Sequence, residues 1–269
     1  MHDATGQKNN NPAMAWLDEV IESLIFLTRL PVRRRNAAAP GLVDSMRVFP
    51  VAGVIIGALA GAVCTLALIM SVPPLVAAGL GIAASVAITG ALHEDAISDV
   101  ADGFGGGKTK DRKLEIMHDS RCGAFGITAL VLVLVIKVAS LGAISTALSS
   151  SWLIIPLFAA ISGWPRALAV SLIATTPNAR GDGLAESVGI PGAKTHHQAL
   201  LIGLAASTLL IGAFASWTAA FVAVALSFGA FWLVKRLALS QIGGHTGDVA
   251  GTVVCVGETV MLITLSAMV

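Results

Sequence analysis

Seven long apolar segments limit the folds open to this chain. A helix needs about 20 mainly apolar residues to cross a membrane. Only 12% of the residues are charged, whereas a soluble domain typically carries about 25%. We therefore predict an all-α fold, a polytopic integral membrane helix bundle with about seven transmembrane helices. The predicted spans are approximately 48–71, 75–95, 124–147, 152–174, 198–215, 218–234 and 249–268.

The segment before the first span has an amphipathic pattern. Residues 13–30 place apolar side chains at helical spacing, with acidic side chains on the other face. We expect an interfacial amphipathic helix that Pro31 ends. The polar residues 1–12 are predicted to be a disordered tail, and 13–269 a single membrane-embedded catalytic domain. The apolar face contains Trp16, Leu17, Val20, Ile21, Leu24 and Ile25, and the acidic face Asp18, Glu19 and Glu22.

Charge is distributed unevenly between the two sets of loops. The loops on one side hold nearly every charged residue, and the loops on the other side hold none. Because basic residues favour the cytoplasmic side, we place the charged set in the cytoplasm together with the function. A net charge of +1 and the absence of Tyr give no indication of a nucleic-acid partner. The charged loops are 1–47, 96–123, 175–197 and 235–248, and the others are 72–74, 148–151 and 216–217.

Residues 93–126 concentrate seven carboxylates between apolar segments. Asp95, Asp99 and Asp102 have the spacing i, i+4, i+7 and would form one stripe on a helix, with Glu94 beside it. Carboxylates this close repel one another unless a cation lies between them, and hard oxygen ligands suit Mg²⁺ or Mn²⁺. The stripe predicts a metal site, and the alternative is a solvated acidic helix end.

A glycine run and a lysine come directly after this stripe. Gly103, Gly105, Gly106, Gly107 and Lys108 could bring backbone amides and a positive charge to an anion. We predict a loop that contacts substrate phosphate, and the alternative is a flexible turn between helices. A P-loop is excluded because an aspartate occupies the position of a required glycine and no buried strand precedes it.

A second helix is predicted to start near Asp111. Glu115 and Asp119 would share one face of it, and Arg121 follows. Two carboxylate-bearing faces could hold one or two divalent ions against a pyrophosphate, which neutralises charge on the transferring group. Asp119 is thus a predicted metal ligand, Arg121 would bind phosphate oxygens, and a free carboxylate could take the proton of an attacking hydroxyl.

Three ionisable residues lie at membrane depth. Such residues usually face the bundle interior and mark a site, so we predict that Lys137 and Arg166 contact substrate. The alternatives are structural ion pairing for Lys137 and extension to the membrane surface for Arg166. Glu258 is the acid in the last span. Asp248, in the glycine-rich loop 242–248, is a further predicted substrate-binding residue on the same side as the acidic segment.

Several segments resemble the cobalamin synthase family, the adenosylcobinamide-GDP ribazoletransferases. The resemblance covers most of the chain. It implies a multi-pass enzyme of the bacterial inner membrane that requires Mg²⁺. Such an enzyme transfers phosphocobinamide from adenosylcobinamide-GDP to α-ribazole or its 5′-phosphate and releases GMP. The matching segments are FLTRLPV at 26–32, FPVAGVIIG at 49–57, HEDAISDVADGFGGG at 93–107, LEIMHDSRCGAFG at 114–126 and GGHTGD at 243–248.

The resemblance also implies roles for particular residues. We expect Glu94 or Asp119 to be the general base. The chain departs from the family at 96–98, which read AIS where Gly-Leu-Ala is usual, and at Cys255, where an acid is expected. The implied site residues are Glu94, Asp95, Asp99, Asp102, Asp119, Arg121 and Asp248.

Two other functions remain open at this point. CDP-alcohol phosphotransferases of phospholipid synthesis have a similar acidic pattern, which this chain shows at Asp99, Asp102-Gly103, Glu115 and Asp119. The Ala-Arg pair that is expected in their pattern is missing from this sequence. A divalent cation transporter is the second alternative, since acids near membrane depth also serve ion pathways. The sequence does not determine whether the protein forms a homo-oligomer.

Overall fold

The computed structural model describes residues 12–35, 41–180 and 189–269, which fold into a helical bundle. Residues 1–11 of the expected tail lie outside the described residues, and Pro12 already begins the first helix. The helices are α1 (Pro12–Leu27), α2 (Leu42–Ser45), α3 (Phe49–Ile69), α4 (Pro74–Thr89), α5 (Leu92–Gly106), α6 (Lys110–Ile116), α7 (Ala124–Ala147), α8 (Ile154–Thr175), α9 (Ala193–Phe214), α10 (Trp217–Ile242) and α11 (Gly247–Ser266).

The prediction of a polytopic membrane bundle is confirmed. Within the described ranges, six helices are long and apolar enough to cross a membrane. The break expected near residue 216 is present, because Ser216 caps α10 by accepting a hydrogen bond from the Ala219 N–H. Helices α4 and α5 pass the same test only as a pair bent by 87°, so the number of spans is six or seven.

The second predicted span, 75–95, is wrong at its carboxyl end. The chain bends at Gly90 and Ala91, which have φ values of 65° and 61°. This left-handed conformation ends α4 after Thr89, and glycine adopts it without a steric cost. The peptide N–H of Arg29 donates to the Ile88 carbonyl at 2.7 Å and fastens the segment after α1 to the bend. The bend redirects α5, and with it the whole acidic stripe.

Helix α1 is amphipathic as predicted but ends at Leu27, before Pro31. Its acidic face is turned towards the protein, where Glu19 pairs with Arg47 at 2.5 Å and Glu22 pairs with Arg34 at 2.6 Å. Trp16 is 43% exposed on the opposite side. The exposed apolar face is typical of a helix that lies in a membrane interface.

Helix α8 lies at the centre of the bundle and packs closely on α3. Gly53, Gly57 and Gly61 follow one another at intervals of four and place one stripe of α3 against the α8 backbone. A Cβ atom at Gly61 would lie 3.0 Å from the Cα of Ile155, and one at Gly57 would lie 2.8 Å from the Cα of Ala159. Small residues at this spacing let two helices approach closely in lipid.

The acidic segment folds differently from the prediction in two places. Helix α5 continues through Gly106, so Gly103, Gly105 and Gly106 are helical and do not form a phosphate loop. Gly105 leaves room for the ring of Phe125, which lies 2.7 Å from the position that a Cβ would take. Helix α6 ends at Ile116, so Asp119 lies beyond it and does not share a helical face with Glu115.

Candidate active site

Three carboxylates meet where α5 approaches the start of α11. Asp95 and Asp99 follow each other by one turn of α5, and Asp248 lies in the first turn of α11. The carboxylate of Asp99 interacts electrostatically with those of Asp95 and Asp248, and with the Arg180 guanidinium. Arg180 also donates to Asp248 at 3.3 Å. One arginine beside three acids leaves an excess of negative charge.

Asp102, the last acid of the predicted metal stripe, is held by the backbone. Its Oδ2 accepts the Gly123 N–H at 2.6 Å and its Oδ1 accepts the Gly126 N–H at 2.8 Å. These are two of the free N–H groups at the start of α7, where the helix dipole also favours a negative charge. Asp102 therefore caps α7 and fixes its position relative to α5.

Asp119 and Arg121 form an exposed ion pair after α6. The guanidinium of Arg121 contacts Asp119 at 2.5 Å, and 87% of the Arg121 side chain is exposed. Hydrogen bonds from the Arg121 side chain and backbone lower the pKa of Asp119 to about 2. An efficient general base has a pKa near the working pH, so Asp119 is a poor proton acceptor in this arrangement.

A buried ion-pair network lies beneath the three carboxylates. Glu258 accepts from Lys137 at 2.8 Å and from Arg166 at 2.7 Å. Glu94 lies 3.8 Å from the Lys137 ammonium. All four side chains are less than a tenth exposed. The network joins α5, α7, α8 and α11 and pairs each buried charge with one of opposite sign, which lowers the cost of burying it.

Two loops are joined beside these acids. Asn178 forms a parallel β-bridge with His245, and the Ala179 N–H donates to the His245 carbonyl at 2.8 Å. The imidazole Nδ1 of His245 lies 3.0 Å from the Thr176 hydroxyl, and burial lowers its pKa. Residues 176–180 and 243–248, which belong to the predicted loops 175–197 and 235–248, thus lie on the same side of the bundle. Their contact positions Arg180 next to Asp248.

A cavity of about 300 Å³ lies between α1, α3, α5, α8 and α11. It is lined by side chains of the joined loops, by His93 and Arg166, and by apolar side chains of the helices. A second cavity, of about 380 Å³, shares Phe26, Leu92 and Asp95 with the first and includes Arg29. The polar and charged lining residues of the first cavity are His93, Asp95, Arg166, Asn178, Arg180, His245, Thr246 and Asp248.

The structure brings together only part of the predicted site. Of the predicted residues, Asp95, Asp248 and Arg166 line the first cavity. Lys108 is exposed, and Lys137 and Glu94 belong to the buried network. Sequence reasoning missed Arg180 and Asn178, whose only signal is a polar loop on the charged side of the membrane.

The side chains around Asp95 and Asp99 determine whether a divalent cation could bind there. Within residues 12–35, 41–180 and 189–269, no group of three or more acidic, histidine or cysteine side chains is arranged to hold a metal ion. Asp95 and Asp99 nevertheless accept no hydrogen bond from any described residue, so their oxygens are free to bind a ligand. Free carboxylates with excess negative charge fit Mg²⁺, which usually keeps one or two protein carboxylates and takes other oxygens from water and substrate phosphate.

The fold and this site define a polytopic membrane protein with an acid-lined cavity at one end of its helix bundle. A family model described as cobalamin-5-phosphate synthase matches residues 19–266. The chain belongs to this family and is an enzyme of cobalamin biosynthesis.

Curated relatives support this assignment. Two proteins named adenosylcobinamide-GDP ribazoletransferase are similar to the chain. The one from Azorhizobium caulinodans is 41% identical over 241 residues, 88% of this chain and 90% of the relative. That from Bradyrhizobium diazoefficiens is 37% identical over 243 residues, 90% of each chain. No solved structure matches the chain.

Proposed function

We propose that the protein joins adenosylcobinamide-GDP to α-ribazole or its 5′-phosphate, with release of GMP. A ribose hydroxyl of the acceptor attacks the phosphorus that carries cobinamide. A new P–O bond forms, the P–O bond to GMP breaks, and the hydroxyl proton passes to a carboxylate. The names of the relatives support the two substrates.

The position of Asp95 carries the proposal. Asp95 is shared by the two cavities, and a transfer between two substrates needs a group that both can reach. We assign the acceptor to the first cavity, which has apolar walls, and the donor diphosphate to the second cavity, which includes Arg29. Asp95 accepts no hydrogen bond from a described residue, so its carboxylate is free to take the hydroxyl proton. Asp119 and Glu94 are weaker candidates, because each is already paired with a cation.

Two acids beside Asp95 are the proposed Mg²⁺ ligands. Asp99 and Asp248 would hold the ion, and Asp102 is left to cap α7. When bound, Mg²⁺ neutralises charge on the phosphoryl oxygens and on the leaving GMP. Arg180, which contacts Asp248, would orient this carboxylate. Among the chain's own groups, Arg180 and Arg29 could bind phosphate oxygens from two directions.

The proposed location is the bacterial inner membrane, with the site on the cytoplasmic side. The acids of α5, the joined loops and nearly all other charged residues lie at the same end of the spans. Basic residues near span ends favour the cytoplasm.

A two-substrate assay on the purified protein in nanodiscs tests the proposal. We expect GMP and a cobinamide–ribazole product in equal amounts, dependent on Mg²⁺ and abolished by chelation. CDP-alcohols with lipid acceptors serve as the contrasting substrates, and CMP release from them without GMP release would contradict the proposal. Metal flux into liposomes without a nucleotide product would point to the transporter alternative.

A further inference from the structure

His245 is a buried histidine with one bound and one unbound ring nitrogen. The residue is 2% exposed. Its Nδ1 lies 3.0 Å from the Thr176 hydroxyl and 3.1 Å from the Thr176 carbonyl oxygen. Its Nε2 accepts no hydrogen bond from any residue that the structure describes, and it is not one of the fully enclosed side-chain atoms that lack a partner. Because His245 lines the first cavity and is otherwise buried, the accessible surface of Nε2 opens to this cavity.

The hydrogen bonds of Thr176 determine which ring nitrogen of His245 carries the proton. A carbonyl oxygen only accepts hydrogen bonds, so Nδ1 donates to the Thr176 carbonyl. The Thr176 hydroxyl donates its single hydrogen to the Leu172 carbonyl at 2.8 Å, so it too accepts from Nδ1. Burial lowers the pKa of His245, and the ring is therefore neutral at physiological pH. In a neutral ring with Nδ1 protonated, Nε2 carries a lone pair and is a hydrogen-bond acceptor.

The lone pair of Nε2 needs a hydrogen-bond donor in the cavity. Mg²⁺ takes oxygen ligands, and ionised carboxylates and phosphates only accept hydrogen bonds, so none of these groups suits Nε2. The second cavity, which we assign to the donor substrate, does not include His245. The acceptor substrate remains. Its base, dimethylbenzimidazole, has no N–H group, and the hydroxyls of the ribose are therefore the donors that α-ribazole offers to Nε2.

The ribose of the acceptor has two neighbouring hydroxyls. The proposed function allows an acceptor whose 5′-oxygen carries a phosphate, so the attacking group is the 2′- or the 3′-hydroxyl. The attacking hydroxyl passes its proton to Asp95, which lines the same cavity as His245. The other hydroxyl of the pair takes no part in bond formation and is available to donate to Nε2.

We propose that His245 binds the acceptor through Nε2, which accepts a hydrogen bond from the ribose hydroxyl adjacent to the attacking one and so turns the attacking hydroxyl towards Asp95. This inference rests on the proposed function and adds to it a residue that orients the ribose. The two bonds of Nδ1 and the β-bridge to Asn178 hold the ring in place before substrate binds. A binding group that is fixed in this way orients its ligand precisely.

The test uses α-ribazole and its 2′-deoxy and 3′-deoxy analogues as acceptors. One analogue lacks the attacking hydroxyl and gives no product. The other, the reactive analogue, lacks the hydroxyl that we assign to His245. The measured quantity is the ratio of kcat/KM for α-ribazole to kcat/KM for the reactive analogue. Comparing this ratio between protein variants removes any effect of the missing hydroxyl on the chemistry itself.

His245→Asn should lower the ratio about 3- to 10-fold, the range expected for the loss of one neutral hydrogen bond. The amide N–H of asparagine can still donate to Thr176 in place of Nδ1, so this variant removes mainly Nε2. His245→Gln places an amide oxygen near the position of Nε2 and should restore part of the ratio. His93→Asn is the matched control, because His93 is a second buried histidine that lines the same cavity, and it should leave the ratio unchanged.

The ratio within one preparation does not depend on how much protein is folded. An unchanged ratio in His245→Asn, with both acceptors slowed equally, would overturn the inference and assign His245 a structural role only. A lower ratio in His93→Asn instead would also overturn it and assign the hydroxyl to His93. Failure of the proposed function is a separate result, because the unmodified protein would then release no GMP with α-ribazole.

Discussion

The replacement of Asp102 by alanine separates its two candidate roles, a metal ligand and a cap for α7. Both carboxylate oxygens accept N–H groups at the start of α7, and the residue is 8% exposed. Hydrogen bonds to charged groups contribute about 1.5–3 kcal/mol each and are not additive, so we expect a loss of about 2–4 kcal/mol in the free energy of unfolding. Asp102→Asn keeps one acceptor oxygen and should lose about half as much.

Unfolding from mixed micelles with increasing SDS, followed by far-UV circular dichroism, measures this loss. Asp111→Ala is the matched control, because Asp111 is an exposed acid of the same segment and such changes usually stay within about 0.5 kcal/mol. The cap assignment would be refuted if Asp102→Ala unfolded like the unmodified protein but needed far more Mg²⁺ for activity. That result would restore Asp102 to the metal stripe that its sequence spacing predicts.

Two further predictions concern the helix bundle. Glu258→Gln should lower the free energy of unfolding by about 3–5 kcal/mol, because it leaves two buried cations without their shared partner. SDS titration measures this loss. Unchanged stability would contradict the role of the ion-pair network in holding the bundle together. Gly57→Ala should destabilise the α3–α8 contact, because the added Cβ would lie 2.8 Å from the Cα of Ala159. Gly229→Ala, whose Cβ would meet nothing within 4 Å, is the control and should raise the melting temperature slightly, since alanine favours a helix. Equal effects of the two glycine changes would refute the close approach of α3 and α8.

The lengths and polarity of segments predict most of this fold. Apolar stretches of about 20 residues identify the spans, and the one-sided charge identifies the end of the bundle that holds the acids. The bend at Gly90 could not be predicted this way, because 75–92 contains no charged residue and continues past the bend as one apolar segment. It depends on a left-handed pair of residues and on the contact with Arg29, neither of which has a periodic signal.

The sequence predicts which residue types form the candidate site better than it predicts how these residues are arranged in space. Spacing places Asp95, Asp99 and Asp102 on one stripe. It does not reveal that the carboxylate of Asp102 accepts hydrogen bonds from the start of α7, whereas those of Asp95 and Asp99 accept none from the described residues. Glycines near a lysine predict a phosphate loop, whereas here they allow helices to pack against α5. Arg180 comes from a loop 78 positions after Asp102 along the chain, and only the pairing of two loops brings it to the acids.

The most direct test of the account is the rate of GMP release by Asp95→Asn, measured at saturating substrates and Mg²⁺ beside Asp119→Asn. Both variants should retain the helix content of the unmodified protein. Loss of a general base usually costs about 10²–10⁴-fold in rate, so we predict a fall of at least about 10²-fold for Asp95→Asn and a much smaller fall for Asp119→Asn. Full activity in Asp95→Asn, with the large loss in Asp119→Asn instead, would contradict the assignment of the active site to the cavity at Asp95.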